Sequence, residues 1–456
     1  MKLKKYFFAL LAVLCLATLA SCGGSEAQPL KVFVGTESAA YYQQILTKYA
    51  TDNKLPFKIE VSGGDTGGYA DIFTKDTKKG ADIFVTAHDN IAKLTAGAGT
   101  IAPITDQELI DNMEATVDTV FTDVCYVSAG GAQPKYYGVP LIRQALVLYY
   151  NKAYFNDSNI ASVETWDGIL QVAKANGKLA VAYNGTGGYN YSHWLLAQPA
   201  NDATKAKYGA KGTLQLFQEG SAAANYAWGA DQLQIHEYAK KFTMDPNGRN
   251  GSVAGKSDWK LVMGEYITLV AGAWDRATVA ANWGPDGYGV TVLPTFTTAN
   301  GDVFRSGSFY DVKCLFKKKG SAYASYLDDI MKFLSSDAVQ LESYTKCGNL
   351  PASNTVQFDE NDQLARAQIR QGQLAGLPQP FGYNEEFNPS YYLKGTDKAM
   401  MNLHENKYAT EEIYKGYNLD TKTVLQLMSY TWATGNIFSH ELPSDTLQAW
   451  VASTGK

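Results

Sequence analysis

From Leu30 onward, short apolar runs alternate with amphipathic stretches. Leu30 to Gly35 (LKVFVG) reads as a strand, and Ala40 to Thr51 carries Tyr41, Ile45 and Tyr49 at helical spacing. Phe57 to Val61 alternates as a second strand. Tyr69 to Lys78 has the pattern of a helix, and Ala81 to Thr86 (ADIFVT) that of a third strand. This β-α-β-α-β order predicts a mostly parallel sheet with helices on both faces. Such sheets take ligands beyond the carboxyl ends of their strands. Those ends carry Glu37, Asp65 and Asp89. Acidic residues are common in turns and caps, but three at one sheet end also suit ligand contact.

The stretch Tyr136 to Phe155 organises the rest. Tyr136 to Leu141 and Ala145 to Asn151 read as strands, with Ile142, Arg143 and Gln144 between them. The sharper reading is a strand that crosses between two lobes and leaves Arg143 and Gln144 at a cleft. The plainer one is a buried strand kinked at Pro140. Downstream, Thr165 is placed to cap a helix opening at Trp166. Strands are predicted at Leu179 to Tyr183, Tyr266 to Trp274, Gly287 to Pro294 and Tyr310 to Phe316. Helices are predicted at Gln232 to Phe242, at Ala322 to Leu334 and from Asp337. The Gly-rich turn Asn184 to Asn190 delivers Tyr189 and Tyr191. It lacks the Lys-Ser/Thr ending of a phosphate loop.

The N-terminus changes the compartment. Lys2, Lys4 and Lys5 precede an apolar run, Tyr6 to Ala17, too short for an ordinary spanning helix. Leu19-Ala20-Ser21-Cys22 follows and resembles a lipobox, which implies cleavage before Cys22 and lipidation of that cysteine. Losing the three lysines takes the net charge from −5 to −8. An acidic chain without a basic stripe argues against nucleic acid as partner. Tyrosine is abundant (30 residues), a side chain that stacks and hydrogen-bonds at wet surfaces. Beyond Cys15 and Cys22, three cysteines remain: Cys125, Cys314 and Cys347. One pair could bridge in an extracytoplasmic protein, though spacing names no pair; buried free thiols are the favoured reading.

Enzyme and metal signatures are missing. His236-Glu237 is followed by Lys240 where a zincin needs histidine. No G-x-S-x-G elbow occurs, and Asp359-Glu360-Asn361-Asp362 lacks EF-hand spacing. The reading is a non-enzyme without cofactor or metal.

The lipobox together with ADIFVTAHD (81–89), YYGVPLIRQALVLYYNK (136–152), TWDGI (165–169), GAWDR (272–276), GYGVTVLPTF (287–296) and GNLPAS (348–353) resembles family 1 extracellular solute-binding proteins. These are receptors of bacterial ABC importers, and the chain is most similar to the maltodextrin-binding members. The resemblance implies an α/β fold of the periplasmic-binding-protein type II, two lobes with a hinge and a central ligand cleft. It implies a signal peptide (1–21), a tether (22–29), an N-terminal lobe (30–142 with 292–318) and a C-terminal lobe (143–291 with 319–456). Both 136–151 and 288–296 would connect the lobes. Asp89 falls where the family bonds sugar hydroxyls, and Glu37 near another such position. Gln144 stands where maltodextrin binders carry an acid. Tyr189 or Tyr191, Trp274 and Tyr391 fall at or near aromatic platforms, while Arg143, Arg276 and Asp65 complete the candidate set. Thr86 and Asn90 depart from the maltodextrin pattern, which bears on ligand identity. The implied protein is lipid-anchored on the extracytoplasmic face of the cell membrane. It would bind an oligosaccharide and hand it to ABC permease subunits. Alternatives are a binder of another solute, such as a peptide or polyamine, and a secreted polysaccharide-acting enzyme.

Overall fold

The computed structural model describes residues 28–95, 99–129, 132–183, 193–194, 197–208, 238, 264–359 and 361–378. The lipidation expectation at Cys22, the candidates Tyr189, Tyr191 and Tyr391, and nearly all of the helix expected at 232–242 lie outside them.

The first lobe opens with strands Leu30–Gly35, Ile59–Gly64 and Ile83–Ala87. The first pairs in parallel with both others, as the alternation predicts. Helix Ala39–Asp52 buries Tyr41, Tyr42 and Leu46 against them. One long strand, Ser308–Lys318, is the hub. It runs antiparallel to Ile83–Ala87 along one edge and to Gly138–Gln144 along the other. Buried residues along these strands, among them Val32, Phe84, Val139, Val312 and Phe316, form one core.

The second lobe is a four-stranded sheet in the order Tyr288–Thr291, Val147–Asn151, Tyr266–Ala271, Leu179–Tyr183. Helix Trp166–Ala175 flanks it, and Thr165 caps that helix by accepting from Gly168 N at 3.1 Å. Trp166 is fully buried and donates its indole N–H to Ser306 Oγ at 2.8 Å.

The chain crosses a few residues later than the pattern placed it, because Ile142, Arg143 and Gln144 stay in the first-sheet ladder. Gly138–Gln144 belongs to the first sheet and Val147–Asn151 to the second, with only Ala145 and Leu146 between. Both linking residues are buried, and Leu146 N donates to Ser308 Oγ at 2.7 Å, so the outward and return crossings touch.

Two boundaries differ from expectation. Tyr288–Thr291 stays in the second sheet, and Thr295–Thr297 pairs with Val303–Arg305 in a small sheet beside it. Phe296 stacks on Tyr238 and meets Trp194 edge-on, so this segment belongs to the second lobe and the return crossing falls at Ser306–Ser308. Residues 319 onward were expected in the second lobe. Instead helices Ala324–Leu334 and Asp337–Cys347 pack on the first. Asp328 accepts from Thr105 Oγ at 2.7 Å, and Tyr41 OH donates to Val339 O at 3.2 Å. The physical reason is proximity: Ser308–Lys318 ends deep in the first lobe, and an amphipathic helix next to it finds apolar surface there. Gly348 then ends the second helix at φ 75°, a left-handed position that glycine adopts without strain. The chain returns to the second lobe only with helix Gln363–Ala375, whose Leu364 and Ala367 join the second core.

Candidate functional site

The candidate residues lie at strand ends of the two lobes, and the structure brings Asp89 together with Asp311, which lies opposite Gln144 beside the crossing. Ile83–Ala87 is fully buried and runs into a single turn, His88–Asn90, which presents Asp89 half-buried. Asn90 Nδ2 donates to Asp89 Oδ1 at 3.0 Å. Burial pushes the Asp89 carboxyl up to about 6, and the nearby Asp311 carboxylate adds to the rise; His88, Lys93 and the Asn90 N–H oppose it. Asp311 is itself buried, 3.7 Å from His88 Nδ1, and its Oδ1 accepts no hydrogen bond among the described residues. It lies opposite Gln144 in the hub ladder, so the two side chains share a sheet face. Gln144 is buried with its Oε1 likewise unsatisfied among the described residues. Buried acceptors without donors are costly alone, and these can receive hydroxyl donors from a ligand.

Glu37 and Asp65 sit at the expected sheet end with different environments. Glu37 is exposed, and its carboxylate folds over Gly35 in space that a Cβ would fill. Asp65 accepts from Gly67 N at 2.9 Å, which shapes its own turn. That loop is tied to the strand end through Thr86 Oγ, which donates to Thr66 O at 2.6 Å.

Arg143 has a different job from the one expected. Its Nε donates to Pro351 O at 2.7 Å, and its Nη2 to Ala352 O and Asn354 Oδ1, each at 2.6 Å. Phe121 lies under the guanidinium, and Asp118 is 3.5 Å from Nη1. A side chain committed this way is a strut. It fixes the loop after the helix pair to the crossing strand.

On the second lobe, Tyr266–Ala271 is fully buried and exits at Gly272 into the turn Ala273–Asp275. Tyr149 OH donates to Gly272 O at 3.0 Å and pins that exit. The Trp274 ring folds over Gly272, where any Cβ would collide with it, and remains 40% exposed. A tryptophan that lids a core would be hidden; this one offers a face to solvent. Arg276 opens the next helix and pairs with Asp362 at 3.6 Å. Asp362 also caps Gln363–Ala375 and accepts from Tyr344 OH at 2.7 Å. Because Tyr344 belongs to a first-lobe helix, Asp362 joins both lobes.

Asp311, Tyr344 and Asp362 escaped the sequence reading. A lone acid inside the apolar run SFYDVKCLF was the available signal for Asp311. An acid immediately before an amphipathic helix was the signal for Asp362 as a cap. Asp359 Oδ1 accepts from Asn361 N at 2.8 Å within a turn. Among the described residues no His, Cys, Asp and Glu group is placed to hold a metal.

Two hollows lie nearby or apart. One of about 80 Å³ sits beside the crossing, lined from both lobes by Asp118, Phe121, Gln144, Leu350, Gln368 and Gln373. Ligand pockets run about 300–1,000 Å³, so this is slack at the pivot. Gln368 leaves both side-chain polar atoms unsatisfied among the described residues, and Gln144 thus faces the pivot as well as Asp311. A larger hollow of about 500 Å³ lies beside Phe33, Tyr69 and Ile72 and includes none of the candidate residues.

With this geometry in place, comparison with known proteins gives one answer. A family profile described as bacterial extracellular solute-binding protein matches residues 44–370, well over half the chain. The maltooligosaccharide ABC transporter solute-binding lipoprotein of Streptococcus pneumoniae is 25% identical over 364 residues, 77% of this chain and 79% of that protein. Among solved structures, MalX of S. pneumoniae in complex with maltopentaose superposes with a TM-score of 0.60 at 18% identity, over 89% of this chain and 99% of that one. The maltodextrin-binding protein of L. casei BL23 without ligand gives 0.59 at 18% identity, over 94% and 99%. At that identity the structures show the fold, an α/β periplasmic-binding-protein-like architecture, as the sequence predicts. The family binds solutes outside the cytoplasm and carries no enzymatic role, so the chain belongs to the bacterial extracellular solute-binding proteins.

Proposed function

We propose that the protein captures a maltodextrin-like oligosaccharide between its lobes and delivers it to an ABC permease. The observation that supports this reading most is the buried acceptor set at Asp89 and Asp311 on the first lobe, with an exposed Trp274 face on the second. Sugars present apolar C–H faces and a rim of hydroxyls. Aromatic faces take the first and carboxylates the second. Hydrogen bonds to charged groups contribute about 1.5–3 kcal/mol each, so a few set selectivity. The relatives named for maltooligosaccharide and maltodextrin binding support this sugar class. Glu37, Gln144 and Arg276 are proposed to line the cleft. Tyr189, Tyr191 and Tyr391 are proposed as further stacking residues on the resemblance alone, and Asp65 as a loop-shaping residue at its rim.

Calorimetric titration of the pure protein with maltotriose to maltopentaose, cellotetraose and spermidine tests the reading. Maltodextrins should bind and be returned intact. Trp274→Ala should weaken binding by about 1–2 kcal/mol, roughly 5- to 30-fold, with the unliganded melting temperature nearly unchanged. Spermidine is the informative competitor, because clustered carboxylates and an exposed indole also suit a cation. Binding of spermidine alone would overturn the sugar assignment.

Cys22 is proposed as the lipid anchor that keeps the receptor at the membrane near its permease. Acyl chains contribute about 0.8 kcal/mol per buried CH₂, enough to hold it when several are attached. Cys22→Ala should move the protein out of the membrane fraction or block processing. Unchanged fractionation and migration would remove the anchor.

A further inference from the structure

We infer that Cys125 and Cys314 are the partners of an internal disulfide that staples the first lobe. In the structure both are buried free thiols, the reading the sequence favoured, and their sulfurs lie 3.4 Å apart. A bond of about 2.0 Å needs an approach of little more than an ångström, within the movement of two χ1 angles. Cys347, the other cysteine among the described residues, is half-buried at the end of its helix beside Ser38 and takes no part.

The position of the pair gives the bond its purpose. Cys125 follows helix Thr119–Asp123, and its carbonyl accepts from Tyr137 N at 3.0 Å. Cys314 sits on the hub strand between Thr86 and Pro140, where the ladder with Gly138–Gln144 shifts register. The two cysteines are 189 positions apart, and most of the second lobe is inserted between them. The first lobe is thus made from two chain segments that meet only after the second lobe has been threaded. A cross-link at this point ties those segments together and limits the unfolded chain most where the closed loop is long. Both cysteines sit in the first-lobe core, so the bond joins no residue of one lobe to the other and leaves the lobes free to move about the crossings.

The chemistry needs an oxidant, and the extracytoplasmic compartment of this family is where disulfides persist. One thiolate attacks the sulfur of a small or protein-borne disulfide RS–SR and releases one thiol, RSH. The second cysteine displaces the other. The balance is two protein thiols and RS–SR giving one protein disulfide and two RSH, so both thiol protons end on the leaving thiols. Burial, with Cys125 adjacent, holds the Cys314 thiol well above its ordinary range. A protonated, water-excluded thiol exchanges slowly, so the bond forms while the lobe is still closing.

The test uses the full chain, unfolded in denaturant and refolded either with oxidised glutathione or with a reductant. Alkylation after renewed unfolding in denaturant, without reductant, and peptide mapping then locate the free thiols. After oxidative refolding, Cys125 and Cys314 should resist alkylation and appear as one cross-linked peptide pair, two hydrogens lighter than the reduced pair, while Cys347 is labelled. Reduction should restore labelling at both. Cys125→Ala should expose Cys314 to the reagent, and Cys347→Ala should leave the cross-link intact. The oxidised protein should melt several degrees above the reduced one, with sugar affinity the same for both. Full labelling of Cys125 and Cys314 after oxidative refolding, a cross-link through Cys347, or equal melting of the two forms would overturn the proposal.

Discussion

At the scale of single residues, Asp89 ties environment to function most closely. Its carboxyl is raised from 3.8 to about 6 by burial first and by Asp311 second. If Asp89 is the sugar contact proposed above, a hydroxyl would donate to its ionised form, so affinity should strengthen as pH rises through about 6 and fall below it. Stability runs the other way. The folded state holds this proton more tightly than the unfolded chain, so between about pH 4 and 6 Asp89 favours the native state less as pH rises. Titrations of maltopentaose from pH 4.5 to 8, monitored by calorimetry, should show this inflection (a window set about the raised carboxyl). Asp89→Asn should bind more weakly at neutral pH and flatten the profile. A parent profile already flat across the window would place the ligand elsewhere.

Residue identity was legible in uneven ways. Asp89 could be found from its place after a strand, because the end of a parallel strand is a fixed location in this fold class. Trp274 could be found as an aromatic at a strand exit, but whether it lids a core or faces solvent depends on Gly272 leaving room for the ring, which no periodicity shows. Arg143 and Gln144 looked equivalent in sequence. The pleat sends adjacent side chains to opposite faces, and only the partner loop at 350–354 decides that Arg143 becomes a strut.

At the scale of elements, the crossing pair of strands carries the architecture. Two strands were visible as β-formers, Tyr136–Leu141 and Ala145–Asn151, though the first runs on to Gln144 and the break falls at apolar Ala145–Leu146; the opening strand Leu30–Gly35 was predicted to the residue. Lobe membership was not visible for Ala324–Leu334 and Asp337–Cys347. Amphipathic helices state that they have an apolar face, not which core it meets. Here Asp328 bonding Thr105, and Tyr41 bonding Val339, make the choice across some 200 to 300 positions of chain. The strut from Arg143 to Pro351, Ala352 and Asn354 lies at this scale as well. Arg143→Met keeps the apolar stem and removes the donors. It should lower stability by about 2–3 kcal/mol, the range for hydrogen bonds to a charged group, read from a urea midpoint with unchanged slope. Sugar affinity of the folded variant should remain near the parent's. A variant of parental stability that no longer binds sugar would return Arg143 to the ligand site.

For the whole molecule, two cores joined by adjacent crossings make a hinge. A small cavity lined by Gln144 and Gln368, whose polar atoms include some unsatisfied among the described residues, lies beside those crossings. Tyr344 and Arg276, one from each lobe, meet on Asp362. Hinge closure around ligand is the motion open to such a design. A sugar can drive it only through tighter binding to the closed form. Small-angle X-ray scattering of the pure protein, with and without saturating maltopentaose, tests this claim most directly. The account predicts a smaller radius of gyration in the bound sample, with no such change for cellotetraose. Saturating maltopentaose bound at an unchanged radius of gyration would contradict capture by lobe closure.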